Sequence, residues 1–277
     1  MLKKIFQIIV YIFAVIGFVL VVGYFAVRFG LTNVPGIIDL QQQSFLDSGK
    51  SGQTPNAISS QNGQYYWQGL PEWQVIKLAV QKDQGTIDRA AATAGVPARL
   101  IVASLIVEQL RFFTDDRESF KKFFEPLKIL GSETQFSWGV MGMKEATAIS
   151  VEQNLQNPTS PFYLGTQYAH LLDFQTSDPQ EERFARMTDQ HAHYYSYLYA
   201  GLYLREVETQ WKSAGFDIAS RPEILSTLYN IGFANSKPNG NPQSGGAEII
   251  LNGEVYSFGK LAAEFYNSDE LLTEFPK

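Results

Sequence analysis

Glu108 stands at the end of a run that is otherwise almost wholly apolar, Pro97-Ala98-Arg99-Leu100-Ile101-Val102-Ala103-Ser104-Leu105-Ile106-Val107. Gly95 fits the left-handed residue that ends a preceding helix, and Pro97 fits the first helical position, where its missing N–H costs nothing. A run of Leu, Ile, Val and Ala with few polar breaks predicts a helix buried inside a domain. A carboxyl buried there without an opposite charge holds its proton more firmly and becomes a proton donor near neutral pH. The plainer alternative is a helix-end charge turned to solvent or paired with Arg111, three residues on. Two further clusters could serve such an acid. Ser137-Trp138-Gly139-Val140-Met141-Gly142-Met143-Lys144-Glu145-Ala146-Thr147-Ala148 has glycines that let backbone approach a ligand, in a turn feeding a helix whose first N–H groups are free. Leu225-Ser226-Thr227-Leu228-Tyr229-Asn230-Ile231-Gly232 can aim a phenol and an amide at one spot from a helix that glycine ends.

In their order along about half the chain, these clusters resemble the lysozyme-like family of soluble lytic transglycosylases and goose-type lysozymes. The helix follows the family form G-V-P-x-x-L-x-x-A-x-x-x-x-E. The second cluster is similar to S-x-G-L-M-Q-[IV]-M-P-x-T-A at Ser137, Gly139, Met141, Thr147 and Ala148, and departs from it at Gly142 for Gln and Glu145 for Pro. The third is similar to A-x-A-Y-N-A-G at Tyr229, Asn230 and Gly232. The resemblance implies an enzyme that cleaves the β-1,4 link from N-acetylmuramic acid to N-acetylglucosamine in peptidoglycan. Glu108 would be its single indispensable acid, and Ser137, Gly139, Val140, Met141, Tyr229 and Asn230 its substrate contacts. It implies no metal and no cofactor, and a 1,6-anhydro product formed without a second carboxylate. An inverting hydrolase would need a carboxylate to activate water across the ring; Asp115, Asp116, Glu118 and Glu133 stand nearby in the chain. A hydrolytic muramidase of the same fold is one rival. Another is a silent member that holds peptidoglycan or an envelope complex, for which Gly142 and Glu145 speak. Envelope or secretion machinery is a further partner to test.

The composition bounds these expectations. With 277 residues, 45% of them hydrophobic and 14% aromatic, the chain is globular and can bury a sizeable core. It has no cysteine, so neither disulfides nor thiolate metal sites operate. The three histidines, His170, His191 and His193, are read as structural, with His191 and His193 pointing to different sides of a helix. A net charge of −6 with no basic run excludes a phosphate-tracking surface, and with it nucleic acid as a partner.

The elements that must position the clusters follow in chain order. Residues 5–27 are apolar and long enough to cross a hydrocarbon core of roughly 30 Å. They predict an uncleaved transmembrane anchor over 1–28, and Lys3 and Lys4 before it place the N-terminus in the cytoplasm and the rest outside the inner membrane. Residues 29–69 turn to Gln, Ser, Asn, Gly and Pro and read as a tether, with order resuming about Tyr65, Tyr66 and Trp67. Residues 70–277 form the domain. Helical spacing is expected over 72–81, 86–94, 120–130, 161–174 and 189–211, with a polar insertion at 177–186. Asn252-Gly253 between two short apolar-alternating runs predicts a two-residue hairpin, followed by a helix at 258–267. The glycine-rich approach at 240–246 reads as a flexible loop at the cleft edge. The expected fold class is thus mainly α, a lysozyme-like helical domain with a small C-terminal β-hairpin, preceded by one transmembrane helix.

Overall fold

A computed structural model describes residues 65–112, 137–189, 191–251 and 253–277, with isolated positions at 7, 11, 17, 18, 21 and 45. The expected anchor, nearly all of the expected tether and the helix expected at 120–130 lie outside the described residues. Among the described residues no single helix is long and apolar enough to cross a membrane.

The described fold is mainly helical, with eight α-helices and two small antiparallel ladders. Helices α1 (Pro71–Lys82) and α2 (Gln84–Ala94) lead into α3 (Ala98–Phe112), the axis of the domain. Gly95, at φ +73°, ends α2 with its N–H on the Ala91 carbonyl at 2.9 Å. Pro97 stands one residue before the first turn, and its carbonyl accepts from Leu100 N at 3.0 Å. Every residue from Arg99 to Arg111 is buried, as the apolar run predicts. Five helices surround α3: α1, α2, the long α6 (Tyr194–Ser213), α7 (Pro222–Ile231) and α8 (Phe258–Asn267). Helices α7 and α8 pack closely enough that a Cβ on Gly259 would lie 2.4 Å from the Glu223 carbonyl.

Arg99 fixes the start of α3. Its guanidinium is fully buried and donates to five backbone carbonyls, those of Phe265, Tyr266, Ser268, Glu270 and Phe275, at 2.8 to 2.9 Å. The first of these end α8, where a helix dipole favours a cation. The C-terminal segment is thereby tied to the central helix.

Between α3 and α6 the structure departs from the sequence pattern in two places. Residues 161–174 form turns and one 3-10 turn, Thr166–Tyr168, because Pro161 and Gly165 at φ +104° interrupt the spacing. The polar stretch at 177–186 is instead most of helix α5 (Pro179–Thr188). Asp178 caps it by accepting from Gln180 N at 3.1 Å and Glu181 N at 3.0 Å, and Pro179 takes the first turn. Its arginines turn inward. Arg183 grips Glu152 on α4 (Glu145–Gln156) at 2.7 and 2.6 Å, and Tyr199 adds a bond to the same carboxylate at 2.6 Å.

Of the histidines, one has the structural role expected. His193 is buried at the cap of α6 and hydrogen-bonds Asp83, whereas His170 and His191 are exposed. Phe45, in the stretch read as tether, is fully buried with its ring edge-on to His193 at 5.9 Å. Tyr66–Gly69 form a 3-10 turn whose fully buried Trp67 meets Trp73 at 5.0 Å. The packed domain therefore includes residues before position 70.

The expected C-terminal hairpin pairs β3 (Glu248–Leu251) with β4 (Glu254–Ser257), Leu251 opposite Glu254; Asn252 itself lies outside the described residues. Upstream, the second cluster forms a smaller ladder: β1 (Ser137–Trp138) against β2 (Met143–Lys144), closed by residues 139–142 and feeding α4.

Candidate active site

Glu108 lies in the last turn of α3 and is 5% exposed. Arg111, one turn further, places Nη1 3.1 Å from Oε1 and 3.2 Å from Oε2 of this carboxylate. The lone buried carboxyl expected from the apolar run is therefore half of an ion pair, because i and i+3 share a helix face. The Arg111 guanidinium also lies 5.9 Å over the ring of Phe258, the first residue of α8.

The β1–β2 turn is pinned beside this pair from two sides. Gln109 Nε2 donates to the Val140 carbonyl at 2.5 Å, and the Tyr229 hydroxyl donates to the Met141 carbonyl at 2.7 Å. Gly142 N closes the turn on the Gly139 carbonyl at 3.0 Å. Gly142 has φ +61°, and a Cβ there would sit 2.9 Å from Glu108 Oε2. Both the backbone and the carboxylate thus require glycine where the resembled motif has glutamine.

Tyr229 is buried, and its ring meets that of Tyr203 edge-on at 5.4 Å. Burial first, and then the negative charge of Glu108, hold its phenol well above the ordinary range. It is a neutral donor.

These residues border a cavity of about 680 Å³. Four of the residues expected at the site line it: Glu108, Ser137, Tyr229 and Asn230. Gly139, Val140 and Met141 do not; Val140 and Met141 are fully buried, and their carbonyls hold the turn rather than face the cavity. Asn230 Oδ1 accepts from Ala247 N at 2.7 Å, so the amide oxygen expected to read a ligand is engaged with the loop.

That loop is a wall of the cavity, contributed by Gly246 and Ala247. Gly245 N bonds Thr227 Oγ1 at 2.9 Å, Phe258 N bonds the Ala247 carbonyl at 2.9 Å, and Gly259 N bonds the Gly245 carbonyl at 2.9 Å. Its end is thus anchored to α7 and α8.

Lys144, Thr147 and Asn235 also line the cavity. Lys144 and Thr147 belong to the second cluster, and Thr147 is one of its matching positions, but neither was expected to touch substrate; Asn235 was signalled only by its nearness to the third cluster. Asp115, Asp116, Glu118 and Glu133 lie outside the described residues. Among the described residues no group of three His, Asp or Glu side chains is arranged to hold a metal ion. No protein-family model, curated protein or solved structure matches this chain. Chemistry is therefore argued from the cavity itself.

Proposed function

We propose that this is a lysozyme-like domain acting on glycan strands, and more narrowly a membrane-anchored peptidoglycan lytic transglycosylase of the inner membrane. One observation carries the proposal: three clusters far apart in sequence supply Glu108, Ser137 and the Tyr229-Asn230 pair to one cavity. In this chemistry Glu108 gives its proton to the glycosidic oxygen as the C1–O bond breaks, and N-acetylglucosamine leaves with a free 4-hydroxyl. The Glu108 carboxylate then takes the proton of the muramyl 6-hydroxyl as that oxygen bonds C1. The product is a 1,6-anhydro sugar, and the acid is restored. Tyr229 holds the turn beside Glu108 through the Met141 carbonyl, keeping the acid's surroundings fixed.

The Arg111 ion pair favours a second reading, a domain that binds the glycan without cutting it, because the guanidinium occupies both oxygens of the carboxylate that would have to act as the acid. Incubating the detergent-solubilised full chain with purified peptidoglycan and weighing the products separates these outcomes. Muropeptides with 1,6-anhydro ends are expected. Reducing ends identify a muramidase, and binding without release identifies the silent form. A reporter fused after Lys277 tests the topology; activity in the cytoplasm would sink the peptidoglycan assignment.

A further inference from the structure

A second cavity, of about 270 Å³, shares no lining residue with the one beside Glu108. One wall is α6, where Arg205, Glu208, Thr209, Lys212 and Ser213 recur at helical spacing and so share a face. Tyr203, on another face of the helix, turns toward α7 and donates to the Leu228 carbonyl at 2.7 Å. The facing wall is the turn at 164–168. Gly165 at φ +104° shapes it, and Gln167 folds back to donate to the Leu164 carbonyl at 3.2 Å. Tyr168 is seated so close to the end of α2 that a Cβ on Gly95 would lie 2.8 Å from its hydroxyl.

The polar groups on these walls are largely uncommitted. Arg205 Nη1 donates to Glu208 Oε1 at 3.1 Å, which leaves Oε2 as an acceptor on a side chain only 12% exposed. The Lys212 ammonium and the hydroxyls of Tyr168, Thr209 and Ser213 have no protein partner among the described residues. Arg205 answers Glu208, so Lys212 leaves the lining with one positive charge in excess. The end of α6 offers little to compete for a ligand, because the carbonyls of Gln210, Trp211 and Lys212 accept from the N–H groups of Ala214, Gly215 and Phe216 at 2.9 to 3.1 Å.

We propose that this cavity binds the carboxy-terminal end of a peptide, a role separate from the glycan reading above. The terminal carboxylate meets the Lys212 ammonium and accepts from the Thr209 and Ser213 hydroxyls, while an N–H further up the peptide donates to Glu208 Oε2. The spacing fits, since residues four apart on a helix are about 6 Å apart along its axis, and an extended chain covers that in roughly two residues. A bare inorganic anion would bring only negative charge to Glu208 Oε2, and a neutral sugar would leave the Lys212 charge unanswered.

Calorimetry on the full chain in detergent tests this with N-acetyl-L-alanyl-L-alanine, its D,D counterpart, and the carboxamide of each. At least one free acid is expected to bind about tenfold more tightly than its amide, the size of one charge-assisted hydrogen bond. Preference for the L,L form identifies the end of a ribosomally made chain, and preference for the D,D form the end of a wall peptide. Lys212→Met should abolish the preference for acid over amide, and Lys212→Arg should keep part of it; the side chain is exposed, so both variants are expected to fold. Glu108→Gln should bind the acid as wild type does. Equal affinity for acid and amide, a preference that survives K212M, or no binding of any probe overturns the proposal. So does loss of binding in E108Q, which would put the peptide in the other cavity. None of these outcomes bears on whether that other cavity takes a glycan.

Discussion

Two buried glutamates in this fold meet opposite surroundings. Glu206, in the middle of α6, is fully buried, takes one hydrogen bond from Asn154 Nδ2 at 3.0 Å, and leaves Oε1 without a partner. Burial drives its carboxyl well above the ordinary range, against the smaller pull of the Asn154 bond. Glu108 is nearly as buried, but it has a guanidinium on both oxygens and a cavity in front of it. The acid whose proton is held hardest is thus sealed between α4 and α6, while the acid with access to a ligand is paired with a guanidinium. A perturbed carboxyl marks a reactive site only where a ligand can reach it. At Glu206 burial makes a neutral polar contact, and at Glu108 the counter-ion sets what the group can do.

The largest expected break between the two is in activity. Glu108→Gln should lower cleavage of peptidoglycan by about 10² to 10⁴, the usual worth of a general acid, while Glu206→Gln leaves the rate at wild-type level. Muropeptide release by both variants, measured side by side, checks this. Equal rates for E108Q and wild type would return Glu108 to a structural role.

A smaller break comes from Gly142. An alanine there must adopt φ +61° and place a methyl 2.9 Å from Glu108 Oε2. The backbone strain costs about 1 to 2 kcal/mol, and displacement of the carboxylate should reduce the rate by up to about 10². A urea midpoint and a rate measured on one preparation would show both changes; unchanged values would mean that the turn does not crowd the acid. Tyr229→Phe should cost about 1 to 3 kcal/mol by leaving the Met141 carbonyl buried without its donor. The loss should appear in the urea midpoint with no change in the glycan's product type.

Much of this arrangement was legible in the sequence. The apolar run of α3, the Gly95 ending before it, α7 closed by Gly232 at φ +86°, the Asn252-Gly253 hairpin and α8 all follow from local patterns that the tertiary fold reinforces. Helix α5 was hidden because its arginines serve a buried ion-pair layer, which charge alone makes look like a solvated face. Asp178-Pro179 was the signal that could have revealed it. The pairing of Glu108 with Arg111 follows from spacing, but whether a cavity opens beside the pair depends on where residues 137–147 and 229–247 fold back. Glu206 was illegible for the same reason. A glutamate between Arg205 and Val207 on a helix reads as surface, and only the crossing of α4 over α6, with Asn154 beneath, seals it in.

The smallest effect tests the Glu206 half of the comparison most directly. In the folded protein this carboxyl keeps its proton above the ordinary value of 4.5, whereas in the unfolded chain it releases the proton near that value. Between those two points unfolding releases a proton, so stability falls as pH rises, by about 1.4 kcal/mol per pH unit while the difference lasts. The stabilising contribution of the neutral acid is complete below the ordinary carboxylate range and is lost as pH climbs through the raised value. Glutamine has the shape of the neutral acid and cannot ionise. Glu206→Gln should therefore match wild type in urea denaturation near pH 4 and exceed it in stability at higher pH, the gap growing until the pH passes the raised value. A gap for E206Q that stayed constant with pH would mean that Glu206 is charged in the fold, and the contrast between the two glutamates would collapse.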